Sequence, residues 1–228
     1  MDKNCENWRR SRYMQGMKIE PVHWTRGSGI EQIIENFSRT CIEARNVADG
    51  AKLLKEMIEK NDTIWLGISG MGIVGGMGGY IIDLINNGFV DAICSTGAQV
   101  YHDAHFAFGL PVVQGSTKVD DNALDADGTT RIWDTNIRLE ETLIAQDNIL
   151  RDFISRLEEK ERSTADYNYE FGKYILEKSQ SPEKSFVAAA AEKGVPIFLD
   201  SEANHSIGMN NAYFYLNGKN ADPIPSRR

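Results

Sequence analysis

The sequence predicts an α/β protein, a Rossmann-like parallel sheet with helices on both faces, and three observations carry that reading. Short apolar runs alternate with amphipathic helical stretches along the chain. Two of the runs, residues 63–68 and 90–94, are separated by a glycine-rich turn and one helix, the arrangement of a βαβ crossover. Several runs end in small or polar residues, at the sheet end where open α/β folds bind ligands.

Residues 1–17 read as a polar N-terminal extension and 18–228 as the folded domain. Ser28-Gly29-Ile30-Glu31 has the spacing of a capping box, and Ile30, Ile33, Ile34, Phe37 and Cys41 follow at helical intervals. A second helix presents Leu53, Leu54, Met57 and Ile58 on one face. Thr63–Ile68 is a buried strand, Tyr80–Ile85 a helix stopped by Asn87-Gly88, and Val90–Cys94 the next strand. Asp120–Gly128 reads as an acidic loop and Thr130–Asp134 as an extended segment. Residues 138–162 form a charge-dense helical stretch with a solvated face. Ser163 caps a helix carrying Tyr167, Phe171, Tyr174 and Ile175. Ser181-Pro182-Glu183 starts another helix, which stops at Gly194. Val195–Leu199 and Ala212–Leu216 read as strands.

The 228 residues carry 25 Lys and Arg against 33 Asp and Glu, a formal charge of −8. Residues 1–30 hold six basic and three acidic side chains, which leaves −11 for the remainder. That acidity opposes nucleic-acid binding, which needs cations for the phosphates. No stretch approaches the roughly 20 apolar residues of a membrane span. Three cysteines, Cys5, Cys41 and Cys94, are too scattered for a disulfide framework, and the last two are expected to be buried thiols. With no secretory signal in the first residues, a cytoplasmic protein is expected.

Gly70-Met71-Gly72-Ile73-Val74-Gly75 matches the GxGxxG pattern between a strand and a helix, where backbone N–H groups can receive a diphosphate. The acid such a motif places about 20 residues on is missing, since the second strand ends in Ser95-Thr96 and Asp91 stands at its start. A packing turn is the competing reading. Ser95-Thr96-Gly97-Ala98 is a small-residue turn with room for a cofactor. His102-Asp103-Ala104-His105 has metal-ligand chemistry, but Ala107 stands where a second acid is needed, so a hydrogen-bonded turn or ligand-facing loop is expected and no metal site. Asn204-His205-Ser206-Ile207-Gly208 lies after a third strand. Convergence of three strand ends on one crevice points to a ligand-binding protein.

Trp65–Gly70, Gly79–Ile85, Ser95–Ala98, Tyr101–Asp103, Phe106–Pro111, Arg131–Asp134, Gly194–Ile197 and Ser206–Asn210, taken in order, resemble the deoxyhypusine synthase family in its archaeal and bacterial branch. The resemblance implies NAD-dependent transfer of the aminobutyl group of spermidine, or a related polyamine, to a lysine of translation initiation factor 5A or to a small amine. It also implies a homotetramer. Carried over by position, Gly70, Met71, Gly72, Ile73, Val74, Thr96, Gly97, Ala98 and Asn204 are the candidate NAD contacts. Tyr101, His102 and Asp103 are the candidate polyamine contacts. Relative to the family pattern the sequence is expected to be truncated at its C-terminus, without the late sheet strands and the segment bearing the nucleophilic lysine, so no catalytic residue is assigned. The alternative expectation is a non-catalytic paralogue or subunit that needs a full-length partner.

Overall fold

The computed structural model describes residues 12–158, 160–201 and 205–218. The chain falls into two compact units that meet in sequence at Asp62 and Thr63. The first holds two helices, α1 (Ile30–Ser38) and α2 (Ile42–Glu59). Gly29, not Ser28, occupies the N-cap of α1, without a side-chain cap bond. Ion pairs of Glu35 with Arg39 and Lys52 lie on the exposed surface of these helices.

The second unit is built on a parallel sheet in the order β1 (Trp65–Ile68), β2 (Ala92–Ser95), β6 (Ile197–Leu199), flanked by helices. Trp65 pairs with Ala92, Ile68 with Ser95, and Ser95 with Leu199, so all three strands end at one level. Asp91 receives the Ile64 amide at 2.7 Å and thereby anchors the start of β1. A hydrogen-bonded turn of π type, Ile73–Met77, and α3 (Gly78–Asn86) connect β1 to β2, which bears out the crossover. The αβ alternation is as expected, although Cys41 and Cys94 are exposed and not buried. Trp65, also exposed, stacks on Phe198 with ring centroids 5.6 Å apart.

The residues after β2 depart from expectation. Gly97–Ala107 forms α4, and eight of its eleven residues are buried. A helix enclosed on all sides has no polar face, so its sequence shows no amphipathic period. A small antiparallel sheet, β3 (Val112–Gln114), β5 (Thr135–Arg138) and β4 (Thr129–Ile132), follows. Within it Asp121–Asp127 is a helix, α5, and not a loop, because Asp120 accepts the Asn122 amide at its start and Gly128, with φ 73°, ends it. In α6 (Ala145–Arg156), Gln146, Leu150, Arg151, Phe153 and Ile154 are buried, so the segment is not simply a solvated face.

Ser163 and Asp166 complete the capping box of α7 (Thr164–Lys178). From its first turns, Asn168 donates to the Ile197 carbonyl and Thr164 Oγ1 accepts the Leu199 amide, which fixes β6. Pro182–Lys184 is an isolated 3₁₀ turn, and α8 begins afresh at Phe186 and runs to Lys193, with Ser185 as N-cap and Gly194 left-handed at its end. α7 and α8 cross closely at Gly172, where a Cβ would lie 2.5 Å from both Ala191 Cβ and the Val187 carbonyl oxygen. Ser206–Asn217 is a helix, α9, where a strand over Ala212–Leu216 was expected. Ile73, Ile93, Val100, Leu150, Phe171, Phe186 and Val187 form the centre of the core.

Candidate active site

The carboxyl ends of β1, β2 and β6 converge on a groove of about 520 Å³ lined by Ser69, Ser95, Thr96, Phe198, Leu199 and Asp200 among others. Backbone bonds tie the three arms together. The Thr96 amide donates to the Ile68 carbonyl at 3.4 Å, and the Asp200 amide to the Ser95 carbonyl at 3.2 Å. Buried Gln99, on α4, donates to the Gly70 carbonyl at 2.5 Å. A larger hollow, about 870 Å³, lies wholly in the first unit. Its Glu35 already pairs with both Arg39 and Lys52, so the strand-end groove is the better candidate.

The glycine-rich turn has a shape of its own. Gly70 takes φ +83° and Gly76 φ +91°, both left-handed, so the chain turns sharply at each. Gly72 is helical, and α3 starts only at Gly78, beyond the motif. Ile73 and Val74 are buried, and Met71 is half-buried. Ile73 and Val74 therefore anchor the turn by their side chains and have only backbone to offer a ligand. Thr96 is the N-cap of α4 without a side-chain bond to it, and Gly97 and Ala98 are its first residues. The early N–H groups of a helix have no intrahelical acceptor and face the positive end of its dipole. These two segments fit the diphosphate of a dinucleotide. Asn204 lies outside the described residues.

The structure separates the three candidate amine contacts from the groove's open polar atoms. Tyr101 is buried, and its hydroxyl donates to Asp147 Oδ1 at 3.1 Å. Asn210 donates to the same oxygen at 2.8 Å, while Arg151 Nε donates to Asn210 Oδ1 at 3.1 Å. Burial raises the Asp147 carboxyl, and burial beside Asp147 pushes the Tyr101 phenol up. Asp103 is fully buried, and its carboxylate accepts from Ser185 Oγ, from the Phe186 amide at 2.9 Å and from the Val187 amide at 3.3 Å. Expected as a polyamine contact, it is instead an internal cap of α8, its oxygens occupied by three donors. His102, half-buried, lies with Nδ1 3.0 Å from Nε2 of His105. Burial lowers His102 to about 4, and burial with the neighbouring His102 lowers His105 to about 3. Both rings are therefore neutral at physiological pH. Among the described residues no cluster of three or more His, Cys, Asp or Glu side chains is arranged to hold a metal.

Sequence reasoning named the strand ends but not Gln99, Asp147 or Arg151, nor any individual role for His205 or Asn210. Their signal was only that polar residues recur in otherwise apolar company. His205 is buried, caps α9 by accepting the Gly208 amide, and packs on Gly97.

A parallel sheet whose strand ends and helix amino end open onto one groove defines a Rossmann-like α/β protein. The chain belongs to the deoxyhypusine synthase family, whose model matches residues 32–224. It is 32% identical over 216 residues to a deoxyhypusine synthase-like protein of Nostoc punctiforme, covering 92% of this chain and 55% of that one. Over 206 residues it is 34% identical to a protein of the same description from Thermosynechococcus vestitus, with coverage of 88% and 51%. A crystal structure described as a deoxyhypusine synthase of Entamoeba histolytica matches with a TM-score of 0.61 at 17% identity, over 88% of this chain and 68% of that one. The chain thus spans about half the length of these bacterial relatives. Among the described residues no helix is long and apolar enough to cross a membrane.

Proposed function

We propose that this chain supplies the NAD-binding part of an aminobutyl transferase of deoxyhypusine synthase type. The observation that carries the reading is that Ser69 and Thr96, next in sequence to Gly70 and to the Gly97-Ala98 start of α4, line one groove, with Gln99 holding the Gly70 carbonyl. When bound, NAD supplies a hydride acceptor for oxidation of an amine and a hydride donor for the later reduction. The chain's own part is to bind and orient. The amides of Gly97 and Ala98 offer donors to the diphosphate, and the turn at Gly70 lets the backbone approach it closely. Burial of Ile73 and Val74 keeps that turn in place. The amine donor in this reading is spermidine or a related polyamine. The acceptor is a lysine of translation initiation factor 5A or a small amine, and the working assembly is a tetramer in the cytoplasm.

Of the residues first assigned to the amine, His102 alone keeps part of its side chain accessible, and as a neutral ring it can accept a hydrogen bond from an ammonium group. The test is calorimetric titration with NAD, followed by absorbance measurement of NADH formed on adding spermidine, with the chain alone and mixed with a full-length relative. Saturable NAD binding is expected, and its absence refutes the reading. Turnover that needs the relative identifies a dependent subunit, whereas turnover by the chain alone excludes that alternative.

A further inference from the structure

At the amino end of α4 the packing leaves one donor without an acceptor. A Cβ on Gly97 would stand 2.1 Å from Cδ2 of His205 and 2.3 Å from its Nε2, so the imidazole occupies the place of a side chain at residue 97. The residue is only 7% exposed, and its Nε2 is buried without a hydrogen-bond partner. The other ring nitrogen is committed, because Nδ1 accepts the Gly208 amide at 3.3 Å. An accepting Nδ1 places the proton of the neutral ring on Nε2, so the atom left over is a donor. It lies against a helix of eleven residues whose N-cap side chain makes no bond to it. The first amides of that helix likewise lack an intrahelical acceptor. Donors of three residues therefore meet at one turn, a combination suited to an anionic or strongly accepting group.

We propose that His205 is a ligand-contacting residue at the α4 amino end, next to the groove that Thr96 lines, donating from Nε2 to an acceptor oxygen of the bound dinucleotide beside the amides of Gly97 and Ala98. The inference rests on the nucleotide reading above and extends it to a side chain outside the two glycine-bearing segments. It also accounts for glycine at position 97, since any larger residue would displace the ring.

Calorimetric titration of wild type, His205→Ala and His205→Gln with NAD, and separately with inorganic pyrophosphate, tests the proposal. His205→Ala is expected to weaken NAD binding about tenfold, the effect of one good hydrogen bond. His205→Gln, which keeps an N–H donor, should retain most of the affinity. Equal or tighter binding by His205→Ala overturns the proposal and makes the ring a packing piece or a plug. His205-dependent binding of pyrophosphate without NAD binding supports it while refuting the NAD reading. Equal NAD binding by all three proteins does the reverse, and binding of neither ligand refutes both. Should His205→Ala fail to fold, nitrogen NMR of the wild-type imidazole decides. A shift of the Nε2 signal on adding NAD is expected, and an unmoved signal at saturation overturns the assignment.

Discussion

Asp103 places a carboxyl group wholly inside the protein, against donors from Ser185, Phe186 and Val187. Burial outweighs those donors and raises the group from 3.8 to about 7. Between those values the native protein holds a proton that the unfolded chain has released. Stability from this group is therefore complete below about pH 4 and is lost as pH rises through about 7, at roughly 1.4 kcal/mol per unit in between. From about pH 5 to about pH 7 the loss is about 2 kcal/mol, allowing for half-titration at the upper limit. Asp103→Asn removes the titration and keeps the shape. The amide oxygen can accept one backbone N–H, and the NH₂ can donate to Ser185 Oγ. Urea unfolding of both proteins, followed by far-ultraviolet circular dichroism across this range, isolates the effect. The difference in unfolding free energy should move in favour of Asp103→Asn by about 2 kcal/mol as pH rises through the window, then level off. A flat difference, or one moving toward the wild type, refutes the burial of a titrating carboxyl at this point.

Gly172→Ala forces a methyl into the α7–α8 crossing and should cost about 1–3 kcal/mol; an unchanged melting temperature in calorimetry would show that the helices can separate freely. Ser163→Ala removes the capping box of α7 and should cost about 1 kcal/mol in denaturant unfolding, whereas no loss would mean that the Asp166 side chain alone secures that end. Gly97→Ala should be destabilising by itself and partly rescued by His205→Ala in the same chain. Additive losses in the double variant would refute direct contact between the two.

Which parts of the fold could be read beforehand depends on where polar side chains find their partners. Thr63–Ile68 and Val90–Cys94 are apolar runs punctuated by Asn and Gly, so local chemistry alone marks β1 and β2. The segment from Gly97 to Ala107 holds Gln99, Asp103 and His105 inside the core, and the partners of the first two lie far along the chain. No local pattern can announce such a helix. Ala212–Leu216 is rich in aromatics that favour strands, yet α9 forms with a local cap at His205 and tertiary Asn210 bonds to Asp147 and Arg151. Pro182 promised a helix start, but the hydroxyl of Ser185 and the carboxylate of Asp103 set the true start at Phe186, four residues later. The candidate site was legible as strand ends carrying small residues. The direction of Tyr101 and Asp103 was not, because their acceptors and donors come from α6 and α8.

Ser185 caps α8 locally, but the acceptor for its hydroxyl and for the Phe186 and Val187 amides is Asp103, 82 or more residues upstream. The Ser185 cap satisfies one early amide from within the helix's own neighbourhood, but the amides of Phe186 and Val187 wait for Asp103. The eight residues of α8 are too few for independent stability, and closing so long a loop must precede the bond that rewards it. Docking of α4 and nucleation of α8 are thereby made a single late event in folding. The amides of Phe186 and Val187 should then exchange with solvent at the rate of whole-unit opening, not of helix fraying.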